Sequence, residues 1–271
     1  MNRRQRYEAA ERRRSTLIAA ASTALVVAAI VLLVPLAPGW PQVKASFFDG
    51  EIFWRVLPKM LEAFLLDVAI FLWSAPLIAI LGLAIALARA VRSPALFPLR
   101  IFGAVYVDVF RGIPVVLVIY LVGFGVPGLG LPRPWNSPYI WGTVALVLTY
   151  SPYVAEILRS GIESVHHSQR SAALSLGLSE RDTMRYVILP QAIRRVVPAN
   201  MNIFIALQKD VALLSFIGPV EVLRQAGIYK SLLANFTPYV VAACIFLALT
   251  VPATRYADHL MARERRARGA T

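Results

Sequence analysis

A series of apolar runs, each about 20 residues or longer, constrains this chain more than any other feature. A helix of that length crosses the ~30 Å hydrocarbon core of a bilayer. Six runs qualify: residues 16–36, 62–88, 101–124, 139–158, 196–216 and 236–256. The first, third and last are continuous and apolar. The fifth is the weakest, because it carries Gln208, Lys209 and Asp210. Composition agrees: 58% of the 271 residues are hydrophobic and 16% are charged, against about 25% charged in soluble domains. A disordered chain is excluded and a soluble globular domain is disfavoured. The expected class is an all-α membrane protein of about six transmembrane helices.

The net charge of +13 would point to nucleic acid in a soluble protein. Here the basic residues flank apolar runs and are not interleaved with aromatics on a polar face, so nucleic acid is not an expected partner and membrane lipid is. Their distribution sets the orientation instead. With the N-terminus inside, 20 of the 28 Lys and Arg fall in cytoplasmic segments. They include Arg13, Arg14, Arg89, Arg92, Arg100, Arg159, Arg170, Arg194, Arg195 and Arg263. Six fall outside: Lys44, Arg55, Lys59, Arg133, Arg224 and Lys230. Both termini are therefore expected in the cytoplasm. A cleaved signal peptide cut near Val43-Lys44-Ala45 is the competing reading. The first run is too long for that, and the cut site lies far beyond it.

The longest stretch between spans, residues 159–195, has the pattern of ordered structure. Ser168 is expected to cap a short helix that includes Ala172, Ala173, Leu174 and Leu176. Gly177 suits the left-handed position that ends such a helix. Ser179 and Asp182 have capping spacing, so a second helix is expected from Glu180, with Met184, Val187 and Ile188 on its apolar face and Pro190 as its stop. Two small side chains at Ala172 and Ala173 suit close approach of another backbone; they equally suit a helix packed on its own loop.

The residues then match a family. S-P-Y-V-A-E-I-L-R-S-G-I-E-S-V from Ser151, S-Q-R-S-A-A-L-S-L-G-L-S from Ser168, and V-I-L-P-Q-A-I-R ending at Arg194 closely resemble the cytoplasmic "EAA" loop of permease subunits of ABC importers, in the polar amino-acid branch. V-D-V-F-R-G-I-P from Val107 and L-Q-K-D-V-A-L-L-S-F-I-G from Leu207 resemble two further segments of that branch. This chain departs from the pattern at Ser171, where the family has glutamate, and at Ser168, where it has glycine. It also departs at Val211 and Ala212, where the family has threonine and serine.

The resemblance implies a type I ABC importer transmembrane fold in the prokaryotic inner membrane. Its layout is a basic tail (1–15), an added first helix (16–36), a five-helix permease core (62–256) containing the coupling loop, and a second basic tail (257–271). It implies a cytoplasmic ABC ATPase dimer that holds ATP and Mg, a second permease subunit, the same or homologous, and an extracytoplasmic solute-binding protein. Arg170, Ser171, Ala172, Ala173, Gly177 and Glu180 would meet the ATPase. No P-loop of the form G-x-x-x-x-G-K-[ST] occurs in the sequence, so ATP is expected on another polypeptide, and neither cofactor nor enzymatic chemistry is expected on this one.

Ionisable residues inside spans need a reason, since each costs at least ~2.5–3.5 kcal/mol at the bilayer centre on insertion scales. Asp108 and Arg111 are three apart and able to pair on one helix face. Lys209 and Asp210 point to different sides, and Glu156 lies one turn from Arg159. These five either line a path for an amino acid's carboxylate and ammonium or only tie helices together. His166 and His167, without a third ligand, read as a solvated turn. An ion-coupled secondary transporter is the alternative. It predicts internal repeats, which the sequence lacks, and gives no reason for the structured loop.

Overall fold

The computed structural model describes residues 3–90 and 94–269. Arg92, among the basic residues counted above, lies outside them. Among the described residues the chain is helical, with no strand. The helices are α1 (Arg3–Leu33), α2 (Trp40–Phe47), α3 (Gly50–Ala90), α4 (Phe97–Gly112), α5 (Val115–Gly125) and α6 (Pro138–Glu163). There follow α7 (His167–Ser175), α8 (Glu180–Asp182), α9 (Leu189–Asp210), α10 (Val222–Leu233) and α11 (Thr237–Gly269). Four helical stretches are long and apolar enough to cross a membrane: Arg13–Leu36, Trp40–Ala90, Pro138–Glu163 and Thr237–Arg263. Two bent pairs raise the count to as many as six.

The bends correct the expected spans. The third run is not one straight helix: it breaks by 106° between α4 and α5. Pro114 disfavours the α conformation at the residue before it, and Ile113 is extended (φ −97°, ψ 130°). The fifth run also divides. After Asp210 the chain tightens into a 3-10 segment, Val211–Ile217, then turns at Gly218 into α10, a bend of 52°. Pro190 does not stop the helix begun at Glu180. It is the second residue of α9, and a π-helical segment, Thr183–Ile188, joins α8 to α9 and carries the chain through it. The result is one helical rod from Glu180 to Asp210, about 45 Å long at 1.5 Å per residue. The described parts of both basic tails, from residue 3 and up to residue 269, continue their neighbouring helices, as runs of Arg, Glu and Ala favour.

The main core gathers Ile70 and Ile78 of α3, Val118 and Ile119 of α5, Ala145 and Leu146 of α6, Leu207 of α9 and Leu214 of the 3-10 segment. α3 and α6 approach closely because residue 82 is glycine: a β-carbon there would meet the Val154 side chain at 2.7 Å. A second cluster joins Val56 and Met60 of α3 to Val222 and Ala226 of α10 and Val241 and Ala242 of α11. Between these clusters lie two wholly buried carboxyls, Asp67 and Glu221. Glu221 accepts from the Leu223 and Arg224 amides, 2.7 Å each, and caps α10. Asp67 Oδ2 accepts from the Val222 amide at 3.1 Å. The apolar part of α1 packs on nothing in the bundle. It connects through α2, which is fastened to the α10–α11 turn by Asn235 Nδ2 to Ala45 O (2.9 Å), Phe236 N to Ser46 O (2.7 Å) and the stacked rings of Phe47 and Phe236.

Candidate functional site: a loop hairpin and an intramembrane cavity

The hairpin starts where α6 ends. The cap of α7 is His166 rather than Ser168, two residues earlier than expected. The His166 ring accepts from the Ser168 amide (3.2 Å) and shares a 2.7 Å hydrogen bond with the Ser168 hydroxyl. An imidazole nitrogen here replaces the usual hydroxyl or carboxylate acceptor. α7 closes as expected at Gly177, which is left-handed (φ +83°), while the Leu178 amide reaches back to Ala173 O at 3.2 Å. Ser179 then accepts from the Asp182 amide at 3.1 Å and donates to Asp182 Oδ2 at 2.6 Å, starting α8.

Arg170 and Glu180, on opposite sides of the turn, are ion-paired at 2.7 Å and close the hairpin. The two alanines part company. Ala173 is buried, whereas Ala172 is exposed beside Ser171 and Gly177. Leu176, 84% exposed, is the largest apolar group on that outer surface. Val165, Ile188 and Ala192 pack the base of the hairpin, and Arg195 of α9 donates to Ser164 at the end of α6.

At the hairpin end of the bundle, Glu156 stands in an ion-pair cluster. It meets Arg89 of α3 at 2.9 Å and Arg159 one turn along α6, and Arg159 continues to Glu163 at 2.5 Å. Glu156 therefore ties α3 to α6 and lines a cavity of about 390 Å³ together with Arg159, Ser160, Ser164 and Arg195.

A separate cavity of about 420 Å³ opens at the α4–α5 break. Its wall comes from the break itself (Arg111 to Val115), from α6 (Thr149, Tyr150, Tyr153) and from α9 (Ile203, Ala206, Asp210). Arg111 and Asp210, 99 positions apart in sequence, thus face one space. The Arg111 guanidinium lies over the Tyr153 ring, 5.5 Å from its centre. Tyr150 donates to Asp210 Oδ2 at 2.6 Å. Thr149 donates to Ala145 O at 2.8 Å.

α6 is steadied behind the cavity. Pro152 cannot donate to Leu148 O, and the Tyr106 hydroxyl of α4 donates there instead at 3.0 Å. Asp108 and Lys209 are exposed and do not line this cavity. Asp108 does not pair with Arg111; among the described residues, neither Asp108 nor Lys209 has a charged partner. The sequence reading passed over Tyr150, Tyr153 and the Asp67–Glu221 pair. Asp67 carried a signal, as a carboxylate in the run Leu65-Leu66-Asp67-Val68. The tyrosines carried a weaker one, flanking a proline in an apolar span. His166 and His167 are exposed, and no group of three metal-ligating side chains occurs among the described residues.

Comparison with known proteins finds relatives of the chain. The sequence model of the binding-protein-dependent transport system inner membrane component family matches residues 80–266. A "Probable glutamine ABC transporter permease protein", GlnM of Bacillus subtilis, is 35% identical over 185 residues, 68% of this chain and 83% of that relative. ArtQ of Bacillus subtilis, an arginine transport system permease protein, is 32% identical over 201 residues, 72% of this chain and 87% of that relative. Among solved structures, a crystal structure of an amino acid ABC transporter with histidines has a chain that superposes with a TM-score of 0.72 at 32% identity, covering 80% of this chain and 98% of that one.

Proposed function

Because this chain belongs to the family of binding-protein-dependent transport system inner membrane components, we propose that it passes an amino acid across the membrane at the Arg111–Asp210 cavity, driven by a separate ATPase that grips the α7 hairpin. The chain is a multi-pass permease subunit of an ABC importer with the type I fold, and it is not itself an enzyme. The amino-acid substrate is carried over from relatives whose names include glutamine and arginine.

One observation carries the mechanism: the rod from Glu180 to Asp210 has the hairpin at one end and the cavity at the other. In the proposed assembly two permease subunits, identical or homologous, line the pore. A cytoplasmic ATPase dimer, holding ATP and Mg, seats the Ser171–Ala172–Gly177 surface. The exposed Leu176 supplies apolar contact there, and the Arg170–Glu180 pair keeps the hairpin stiff. Closure of the ATPase dimer pushes the rod, and Asp210 moves against Arg111 on the α4–α5 break. An extracytoplasmic binding protein delivers the solute, and both termini lie in the cytoplasm, as the basic residues dictate.

Ser171 in place of glutamate takes a charge from the ATPase contact, which leaves shape and apolar area to carry more of it. Within the cavity the charges act by complementarity. Arg111 offers planar donors to a carboxylate, and Asp210 Oδ1 remains open to an ammonium. Arg111→Ala tests this reading: ATP-driven uptake falls at least about tenfold, the loss of one charge-assisted contact, while the complex still co-purifies with its ATPase. Unchanged uptake overturns the site; loss of the complex shows that Arg111 only holds helices together.

A further inference from the structure

We infer that Tyr150 is a positioning residue of this permease: its hydroxyl sets the direction of the Asp210 carboxylate, and so the place where a solute's ammonium is held. The inference rests on the proposed site between Arg111 and Asp210 and adds to it a residue that acts through Asp210.

Asp210 has little in its own helix to hold it. It is the last residue of α9, where a helix presents carbonyls rather than amides. Nor does its side chain cap the 3-10 segment that begins after it. Its hydrogen bond comes from another helix: the Tyr150 hydroxyl of α6 donates to Oδ2 at 2.6 Å. That is the short distance of a hydroxyl on a carboxylate. The bond occupies one oxygen and leaves Oδ1 for an ammonium.

Of the two partners, Tyr150 is the fixed one. Its ring is 6% exposed and packs in the main core with Val118, Leu146 and Leu207. The helix that carries it is itself held. Gly82 lets α3 close on α6, and the Tyr106 hydroxyl of α4 meets Leu148 O and Ser151 Oγ, each at 3.0 Å. The hydroxyl of Tyr150 therefore stands on a rigid post, and the carboxylate turns to it. Three residues on, Tyr153 lies against the Arg111 guanidinium, so α6 meets both charges of the site. Tyr153 offers a ring face from a partly exposed position, whereas Tyr150 makes a directed bond from the core. A carboxylate already turned to its working direction binds more tightly, because its rotamer does not have to be frozen by the solute.

The test uses the intact permease–ATPase complex in lipid nanodiscs. Titration calorimetry gives the Kd of glutamine, arginine and histidine, and the thermal midpoint is read in parallel. Tyr150→Phe keeps the buried ring and removes only the hydroxyl. Tyr106→Phe is the comparator, since it also removes a hydroxyl bonded to α6, but one bonded away from Asp210. Tyr150→Phe is expected to weaken binding of the best probe at least about fivefold, the worth of one hydrogen bond, while Tyr106→Phe stays within about twofold. A merely structural hydroxyl moves the midpoint and leaves Kd where it was. A change smaller than about fivefold in Tyr150→Phe, or an equal loss in Tyr106→Phe, overturns the inference. Arg111→Ala separates the two levels of the claim. If it weakens binding and Tyr150→Phe does not, the site stands and the positioning role fails. If Arg111→Ala leaves binding unchanged, or no probe binds the wild type, the site reading fails and takes the positioning role with it.

Discussion

Single side chains here substitute for backbone groups that the chain cannot supply. Pro152 leaves Leu148 O without its helical donor, and the Tyr106 hydroxyl fills the vacancy from a neighbouring helix. Tyr106→Phe is expected to cost about 1 kcal/mol, the net worth of one such bond, measured as a lower thermal midpoint of the detergent-solubilised protein with uptake retained.

The buried Asp67–Glu221 pair makes a sharper case. Both carboxyls are wholly buried, and Asp67 Oδ1 has no hydrogen-bond partner. Asp67→Asn supplies a neutral donor in the same shape and is expected to be tolerated. Asp67→Ala removes the acceptor for the Val222 amide and is expected to cost about 1–3 kcal/mol, the penalty for an unpaired buried group. Equal stability of the two variants would contradict a role for Asp67 as the acceptor of that amide. Asp67 was visible in the sequence as a charge in an apolar run. Its partner was not, because Glu221 lies 154 residues further on and is brought to it only by the packing of α10 on α3.

The helical elements divide into those fixed by local chemistry and those fixed by long-range packing. The hairpin is local. Gly177 and Ser179 were readable as a left-handed stop and a cap, and both stand as read, because each acts on amides within a few residues. The cap of α7 was misplaced because histidine is an uncommon acceptor for that role, and the tempting Ser168 instead bonds back to it. Gly177→Val forces a β-branched residue to φ +83° and is expected to cost about 1–2 kcal/mol locally, loosening the hairpin. ATPase activity of the assembled complex should then lose its stimulation by substrate while the basal rate persists; undiminished stimulation would place the coupling elsewhere. The α4–α5 break was half legible. Gly112 and Pro114 are residue types that break helices, but hydropathy runs unbroken through them, and the 106° turn depends on α5 finding its core against α6.

The whole molecule is a bundle whose first helix stands apart. α1 buries none of its apolar window in the core, and α2, which follows it, is latched to the α10–α11 turn. The matched relative of known structure corresponds to 80% of this chain yet to 98% of its own. Deleting residues 1–36 is therefore expected to leave uptake within about twofold, since no buried core area is lost; collapse of the complex would assign α1 a structural partner.

The six-span count followed from hydropathy alone, and the family followed from the loop. The meeting of Arg111 with Asp210 followed from neither, because it is made by a bend and a long helix acting together. The central claim is that motion at the hairpin drives the cavity through the Glu180–Asp210 rod. The most direct measurement is ATP-driven amino-acid uptake by proteoliposomes holding the complex, wild type against Gly177→Pro. Proline cannot adopt φ +83° and removes the amide that bonds Leu174 O. The account predicts membrane insertion and ATPase association preserved, with coupled uptake lost. Normal ATP-driven uptake in that variant, or wild-type uptake that runs on an ion gradient without ATP, would contradict it.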